Sequence, residues 1–546
     1  MNPTPVVARA AALAAACCSM LSAAPTITGV ANAAANIPLN YPIAQGAIFV
    51  IYGSGLGPAN ISVASSPFQS TTLSGTSVSV TVGGTTVNAL MYYTSATQVA
   101  GLLPSNTPTG SGTWTVTYNS QASAAFTHGI GPNSFGIFTV DSSGQGAAIV
   151  TYPDYSLVSP VKATNCGGPN TTCGAANPGD TLILWGTGLG AVNGTDASGA
   201  GLGQNMPNIP VMLWLGGVQA PVTYQGRSGC CVGEDQIVFT VPNNVPAGCA
   251  VPLSVQIGTV VSNTGLMAVA NGSRNCTPVN PALAALGATT IEQIVIGGPV
   301  SIASLNLTKL PNGSSGYQDN ARFNFFRVTA LIPGTQPFFL SDIDDPPIGT
   351  CVVYSNTNGN NDFPAASAAD LNAGSSFTIQ GPNGMTTVGQ SSLFGGNSTT
   401  ISSAGTFLVP GNFTVTGTGG ADIGAFTAKF TLTGLPTTTG PANNTTVTRA
   451  SGMTVTWTPA PSGNVWMQVG SATDSSLNSG FSTVCVAPAS AGTFTIPAYA
   501  LLPHLPGNFS FVQLYSSQSF SFTAPGANAG TVNAQLWGPS IALTLK

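Results

Sequence analysis

The chain has 546 residues, of which only 5% are charged: ten Lys and Arg against fifteen Asp and Glu, a net charge of −5. Ten basic residues without a basic run exclude the electrostatic footprint of a nucleic-acid binder, and 43% apolar residues exclude a disordered chain. With 67 Gly and 41 Pro among many Ser, Thr and Asn, the composition predicts an all-β protein of several domains, because single cores stop growing at roughly 250–300 residues.

The chain begins with Arg9 as its sole early charge, followed by an apolar run, Ala10 to Ala24, that ends in small residues. That layout predicts a secretory signal over residues 1–24. Cys17 follows Leu13-Ala14-Ala15-Ala16 as in a lipoprotein site, although a cysteine inside a discarded signal explains it equally simply. No later segment reaches the roughly 18 apolar residues of a membrane span, so the mature chain is expected to carry none.

The first strand signal is Thr26-Ile27-Thr28-Gly29-Val30. Ala47 to Tyr52 follows, apolar on both faces as in a sandwich core, and then Ser77 to Val82, which alternates and leaves one face to solvent. Thr113 to Tyr118 is β-branched or aromatic throughout. The series then recurs. GAIFVIYGSGLG from Gly46 returns as GDTLILWGTGLG from Gly179, and VSVTVGG returns as VMLWLGG, both at an offset of 133 positions (46 to 179, 83 to 216). A shared offset across separate motifs marks a duplicated unit. Val211 to Leu215, Gln236 to Val241 and Leu253 to Ile257 complete the second series. Each unit suits an immunoglobulin-like sandwich with long loops, predicted over residues 25–150 and 151–278.

Beyond the repeats, Ala282 to Leu286 reads as one helical turn. Phe377-Thr378-Ile379, Phe413 to Thr416 and Phe426 to Leu432 read as strands of a β-rich domain over 285–436. Pro436 to Asn444 reads as a linker. Met453 to Trp457, Trp466 to Val469 and Phe509 to Val512 read as strands of a C-terminal β-rich domain over 437–546.

The series GxIFVIYGSGLGP, VTVGGTTVNALMYYTSATQVAGLLP and GIFTVDSSGQGAA, repeated in TLILWGTGLG, VMLWLGGVQAPVTY and DQIVFTVP, resembles a TIG-like (immunoglobulin-like) repeat. The resemblance covers residues 26 to 278 and is to uncharacterised secreted bacterial proteins carrying this module, often near their C-terminus rather than, as here, at the start of the mature chain. It implies an immunoglobulin-like fold at the cell exterior and brings no catalytic residues.

Eight cysteines remain after the signal: Cys166, Cys173, Cys230, Cys231, Cys249, Cys276, Cys351 and Cys485. An even count in an exported chain reads as disulfides. Cys249 and Cys276 bracket neighbouring strand signals and are expected to pair; Cys351 and Cys485 are left for each other. Cys230 and Cys231 either close on one another or tie separately to Cys166 and Cys173. Zinc is a poor fit, since only His128 and His504 exist and no Cys-x-x-Cys occurs.

The second unit also carries an insertion. Gln98 and Pro104 return at Gln236 and Pro242, an offset of 138, so five residues have entered QGRSGCCVGED after Tyr224. Arg227, Glu234 and Asp235 concentrate charge there, and loops carry function on sandwich folds. The loop is therefore a candidate binding site, with a stapled structural loop as the alternative.

Catalytic constellations are scarce. The GSGLG and GTGLG turns lack the third glycine and following helix of a dinucleotide site. No serine lies in Gly-x-Ser-x-Gly, and His128 and His504 sit in loop-like sequence. Glu234 and Asp235, being adjacent, would point to opposite faces of a strand and could not flank one glycosidic bond. Asp342, Asp344 and Asp345 form the densest acidic cluster and are a calcium candidate, against a solvated acidic loop. Tyr92-Tyr93, Trp214 and Trp466 would stack on sugars if they lined an open face, but aromatic residues also fill sandwich cores. The expectation is a non-enzymatic secreted or cell-surface protein, adhesive or structural, meeting an extracellular protein or glycan. The alternatives are a carbohydrate-binding module or an enzyme with its site in 285–436.

Overall fold

A computed structural model describes residues 24–35, 41–65, 68–162, 174–196, 202–285, 299–313, 316–329, 344–357, 367–392, 398–474 and 479–546. The signal over 1–24, Cys17, Cys166, Cys173 and Asp342 lie outside these, apart from residue 24. The described chain is all-β, arranged as stacked sandwiches.

In the first sandwich one sheet orders its strands Thr26–Asn32, Ile48–Ser54, Gln98–Leu102, Leu90–Thr94 and Ser62–Val63. The facing sheet runs Ile43–Ala44, Phe126–Gly131, Gly110–Tyr118, Thr76–Val82 and Thr85–Asn88. The alternation in Thr76–Val82 places Val78 and Val80 inward, where they are fully buried with Phe49 and Trp114. Phe49 and Trp114 meet edge to face at 5.0 Å, a favoured aromatic geometry.

The second sandwich repeats this plan. Thr181–Thr187, Asp235–Thr240 and Val222–Arg227 stand in order in one sheet, and Val218–Ala220, Val211–Leu215 and Gly248–Ile257 in the other. The duplication reaches small details. Ile43 pairs in parallel with Ile130, and Ala176, at the same offset (43 to 176), bridges in parallel to Val269. The hairpin turns Gly83-Gly84 and Gly216-Gly217 have φ of 56° and 85°, and 56° and 81°. Two successive left-handed residues are what a tight type I′ hairpin requires, which explains the paired glycines.

The boundary expected at 150 moves. Gly136–Ile137 and Val150–Thr151 both pair with Thr181–Thr187, so residues 136–151 belong to the second sandwich. The turn that sequence similarity joined to the first unit supplies the edge of the second.

Residues 300–545 are built differently. One ten-stranded sheet contains, in order, Cys351–Thr357, Ser479–Pro488, Asn464–Ala472, Gly507–Phe522, Ala529–Leu545, Val300–Asn312, Gly316–Thr329 and Ser367–Asp370, with two short strands off this path. A four-stranded sheet, Gly384–Val388, Phe377–Gly381, Gly411–Gly417 and Phe426–Leu432, covers a core of Phe323, Phe325, Phe377 and Phe426. A three-stranded sheet, Thr438–Gly440, Met453–Trp457 and Thr493–Ile496, covers another core around Trp457, Met467 and Leu514. The 16- and 17-residue strands Gly507–Phe522 and Ala529–Leu545 run through both: Val512 and Leu543 lie in the second core, Val532 and Ala534 in the first. The division expected at 436/437 therefore does not separate sheets. Part of the expected linker, Thr438–Gly440, is itself a strand.

The expected helical turn is present as Pro281–Ala284. Cys249 is bonded to Cys276 and Cys351 to Cys485, as expected, and Cys230 to Cys231. Cys351 and Cys485 face each other directly in register, tying an edge strand of the long sheet to its neighbour.

Candidate functional site

The inserted loop is where the two repeats meet. Arg227 and Asp235 end adjacent antiparallel strands and stand opposite each other in register. Both side chains are buried, at 1% and 0% exposure. Arg227 Nε donates to Asp235 Oδ1 at 2.8 Å, and its Nη2 donates to the Gly46 carbonyl of the first sandwich at 2.9 Å. Asp235 Oδ2 accepts the N–H groups of Gly188 and Leu189 at 2.7 and 2.8 Å. Asp196 lies 3.8 Å from Arg227 Nη1 and accepts both the N–H and the hydroxyl of Ser105, again across the boundary.

Arg227 and Asp235, candidates for a binding loop with a stapled structural loop as the alternative, are the interior of an inter-sandwich junction. Burial pushes the Asp235 carboxyl up, and Arg227 with the two N–H donors opposes that shift. A buried charge is tolerable only when so paired. Glu234, just before the strand, is half-buried; burial and then the Asp235 charge raise its carboxyl.

Further contacts seal the same junction. Val232 packs with Ile48, Leu90 and Leu102 of the first sandwich, and its carbonyl accepts the Tyr92 hydroxyl. Thr187 Oγ1 donates to Gly233 O at 2.6 Å and accepts the Ile48 N–H at 2.9 Å. Asn32 Nδ2 donates to Ser134 O and Thr187 O. Sequence reasoning missed Asn32, Ser105, Thr187 and Asp196; the one available signal was a lone Arg and a nearby Asp in a module almost without charge. The GTGLG turn serves this junction too. A Cβ on Gly188, at φ +105°, would stand 2.3 Å from Ser134 O, so glycine permits close backbone approach. No α-helix follows either turn directly among the described residues.

Other sequence-selected residues are placed elsewhere. His504, read as a loop residue, is buried between Thr483 Oγ1 and Ser471 Oγ, at 2.7 and 2.8 Å, and burial, with the Arg449 charge, pushes it down to about 3. His128 Nε2 contacts the Tyr41 carbonyl at 2.8 Å, and burial lowers its pKa. Asp344 is buried at 8% exposure, not part of a solvated loop: its carboxylate accepts the Val279 and Asn280 N–H groups, capping the segment after the second sandwich. Burial raises Asp344 to about 7 and Asp345 to about 6. Asp344 is thus held by backbone donors, and Asp342 lies outside the described residues.

Of the aromatic candidates Trp466 is buried, and Tyr92, Tyr93 and Trp214 are partly exposed. Trp466 and Tyr515 are 6% and 8% exposed. Tyr515 stacks on Trp537 at 4.1 Å. Trp214 stacks on Tyr499 at 4.9 Å, joining the second sandwich to the C-terminal core. Tyr92 stacks on Phe68 at 3.9 Å, and the Tyr93 hydroxyl reaches Gln98 Oε1 at 3.2 Å. Among the described residues, Cys230, Cys231 and Glu234 are one cluster with metal-ligand spacing, but the two sulfurs are bonded to each other.

No family model matches the chain, and no curated protein matches it. Solved structures similar to it include domains 5–6 of the S-layer protein SbsC, at 15% identity and TM-score 0.16, covering 46% of this chain and all of that one. The glucan-locus protein SGBP-B of Bacteroides ovatus, solved with a mixed-linkage heptasaccharide, gives 14% identity and TM-score 0.14 over 79% of this chain and 77% of that one. Titin Ig tandem domains A164-A165 give 10% identity and TM-score 0.12 over 45% and 97%. At these TM-scores the likenesses carry no argument, and the all-β sandwich architecture stands on the strand pairings themselves.

Proposed function

We propose that this is a non-enzymatic protein of the cell exterior, secreted or surface-attached, in which stacked β-sandwiches act as a structural or adhesive scaffold. The observation that carries this reading is where the polar chemistry lies. In a chain with so few charges, Arg227, Asp235, Asp196, Asp344 and His504 are all buried and bonded to other parts of the same chain. Arg227, Asp235 and Asp196, held that way, fix the first sandwich on the second, which supports a scaffold role. Three disulfides support an oxidising compartment.

The partner expected of such a scaffold is an extracellular protein or a glycan. Glycan binding is the alternative: Tyr92, Tyr93 and Trp214 are partly exposed, whereas Trp466 is buried. Fractionation of the source cells, followed by thiol labelling without reductant, tests the main reading. The protein should appear outside the cytoplasm with Cys249, Cys276, Cys351 and Cys485 blocked. A cytoplasmic protein labelled at these four positions overturns it.

A further inference from the structure

The three disulfides differ in exposure. Cys249, Cys276, Cys351 and Cys485 are at most 5% exposed, whereas Cys230 is exposed and Cys231 half-buried. Thiol–disulfide exchange needs in-line access of a thiolate to sulfur, so accessible bonds are the labile ones. The exposed pair lies next in sequence to the residues that seal the junction. Val232, which follows Cys231, fills the apolar contact with Ile48, Leu90 and Leu102. Gly233 O anchors the Thr187 hydroxyl that receives the Ile48 N–H. On the other side, Ser228 N donates to Glu234 O at 2.8 Å and its hydroxyl accepts the Cys230 N–H, so the loop closes on itself just beyond Arg227.

We propose that Cys230–Cys231 is a site of thiol–disulfide exchange and that its redox state controls how firmly the first two sandwiches are docked. A thiolate of an external thiol attacks Cys230 Sγ, the S–S bond breaks and its electron pair leaves on Cys231 Sγ. A second thiol then attacks the mixed disulfide and releases Cys230. The net change is two cysteine thiols gained and two external thiols oxidised to one disulfide. Opening the ring frees the Cys230–Cys231 peptide to turn, so Val232 and Gly233, next in the chain, lose a rigid neighbour and the junction opens more often. The reductant class is a small thiol or a protein dithiol able to reach an exposed loop.

The test uses the full chain. Graded dithiol treatment with differential alkylation should label Cys230 and Cys231 while the other two pairs remain intact. Hydrogen exchange on that partly reduced protein should then rise at Ile48, Ser105 and Val192, whose N–H groups bond across the junction, by about tenfold or more. Strand Cys351–Thr357 should not change. The double variant Cys230→Ser, Cys231→Ser should show the same faster exchange without reductant. Reduction of a buried pair before Cys230–Cys231 overturns the proposal, as does selective reduction that leaves exchange at Ile48, Ser105 and Val192 unaltered.

Discussion

The two halves of this molecule solve the same problem in opposite ways. In residues 26–269 each sandwich closes its own core with short strands, and the sandwiches are joined afterwards by side chains: Arg227 on the Gly46 carbonyl, Ser105 on Asp196, Val232 among Ile48, Leu90 and Leu102. In residues 300–545 the two cores are joined by the backbone itself, through strands of 16 and 17 residues that pass from one to the other. Side-chain junctions can be loosened one residue at a time, whereas a shared sheet cannot lose one core without exposing strand edges and apolar surface of the other.

The largest expected effect follows from the shared sheet. A fragment of residues 285–436 keeps the Phe377 and Phe426 core strands but loses Ala529–Leu545, the strand that pairs in parallel with Val300–Asn312. It should show no cooperative thermal transition, while residues 285–546 should; a folded 285–436 fragment would restore the boundary at 436.

Next comes the junction. Arg227→Ala leaves Asp235 charged and buried, a loss of about 3–5 kcal/mol when one partner of a buried pair is removed. Denaturant unfolding should show this loss confined to the transition of residues 26–269. An effect below about 1 kcal/mol, the range of surface ion pairs, would mean the pair is not interior.

Replacing Cys351 and Cys485 by alanine opens a loop spanning 134 positions, worth about 4–5 kcal/mol in the chain-entropy picture and less where native geometry intervenes. Because the bond lies within the shared sheet, both cores should lose protection together. Removal of Cys249–Cys276, with a separation of 27, should cost less, about 3 kcal/mol, and leave residues 300–545 unchanged.

A further effect is a pH slope. His504, held down near 3 by burial, binds its proton in the unfolded chain at about 6.5 but not in the folded one. Below pH 6.5 the unfolded state takes up the extra proton, so this residue's contribution is full above pH 6.5 and falls by about 1.4 kcal/mol per unit as pH drops toward 3. Asp344 and Asp345, raised to about 7 and 6, act in the opposite sense, with stability present at low pH and lost as pH rises through those values. Comparing wild type with His504→Gln at each pH isolates the histidine; parallel curves between pH 4 and 6.5 would refute its assignment as a buried neutral group.

Local patterns in the sequence translated well. Met453–Trp457 and Val211–Leu215 have the bounds read from the sequence, and the duplicated Gly-Gly turns share their backbone angles. What stayed hidden depends on long-range pairing. Arg227 bonds to the carbonyls of Gly46 and Gly190, groups that every residue carries and no residue type announces. The register that aligns Ile302 with Ala529 joins segments from either side of an apparent linker, and nothing near Pro436 signals it. His504 gave no sign of burial because its partners, Ser471 and Thr483, lie on two other strands.

With strands shared between two cores, residues 300–545 should unfold as one cooperative unit. Native-state hydrogen exchange across a denaturant series checks this by following Phe377–Gly381 in one core and Met453–Trp457 in the other. Both strands should merge into a single exchange isotherm at the same denaturant concentration. Two separate isotherms, with one core opening while the other keeps its full protection, would contradict it.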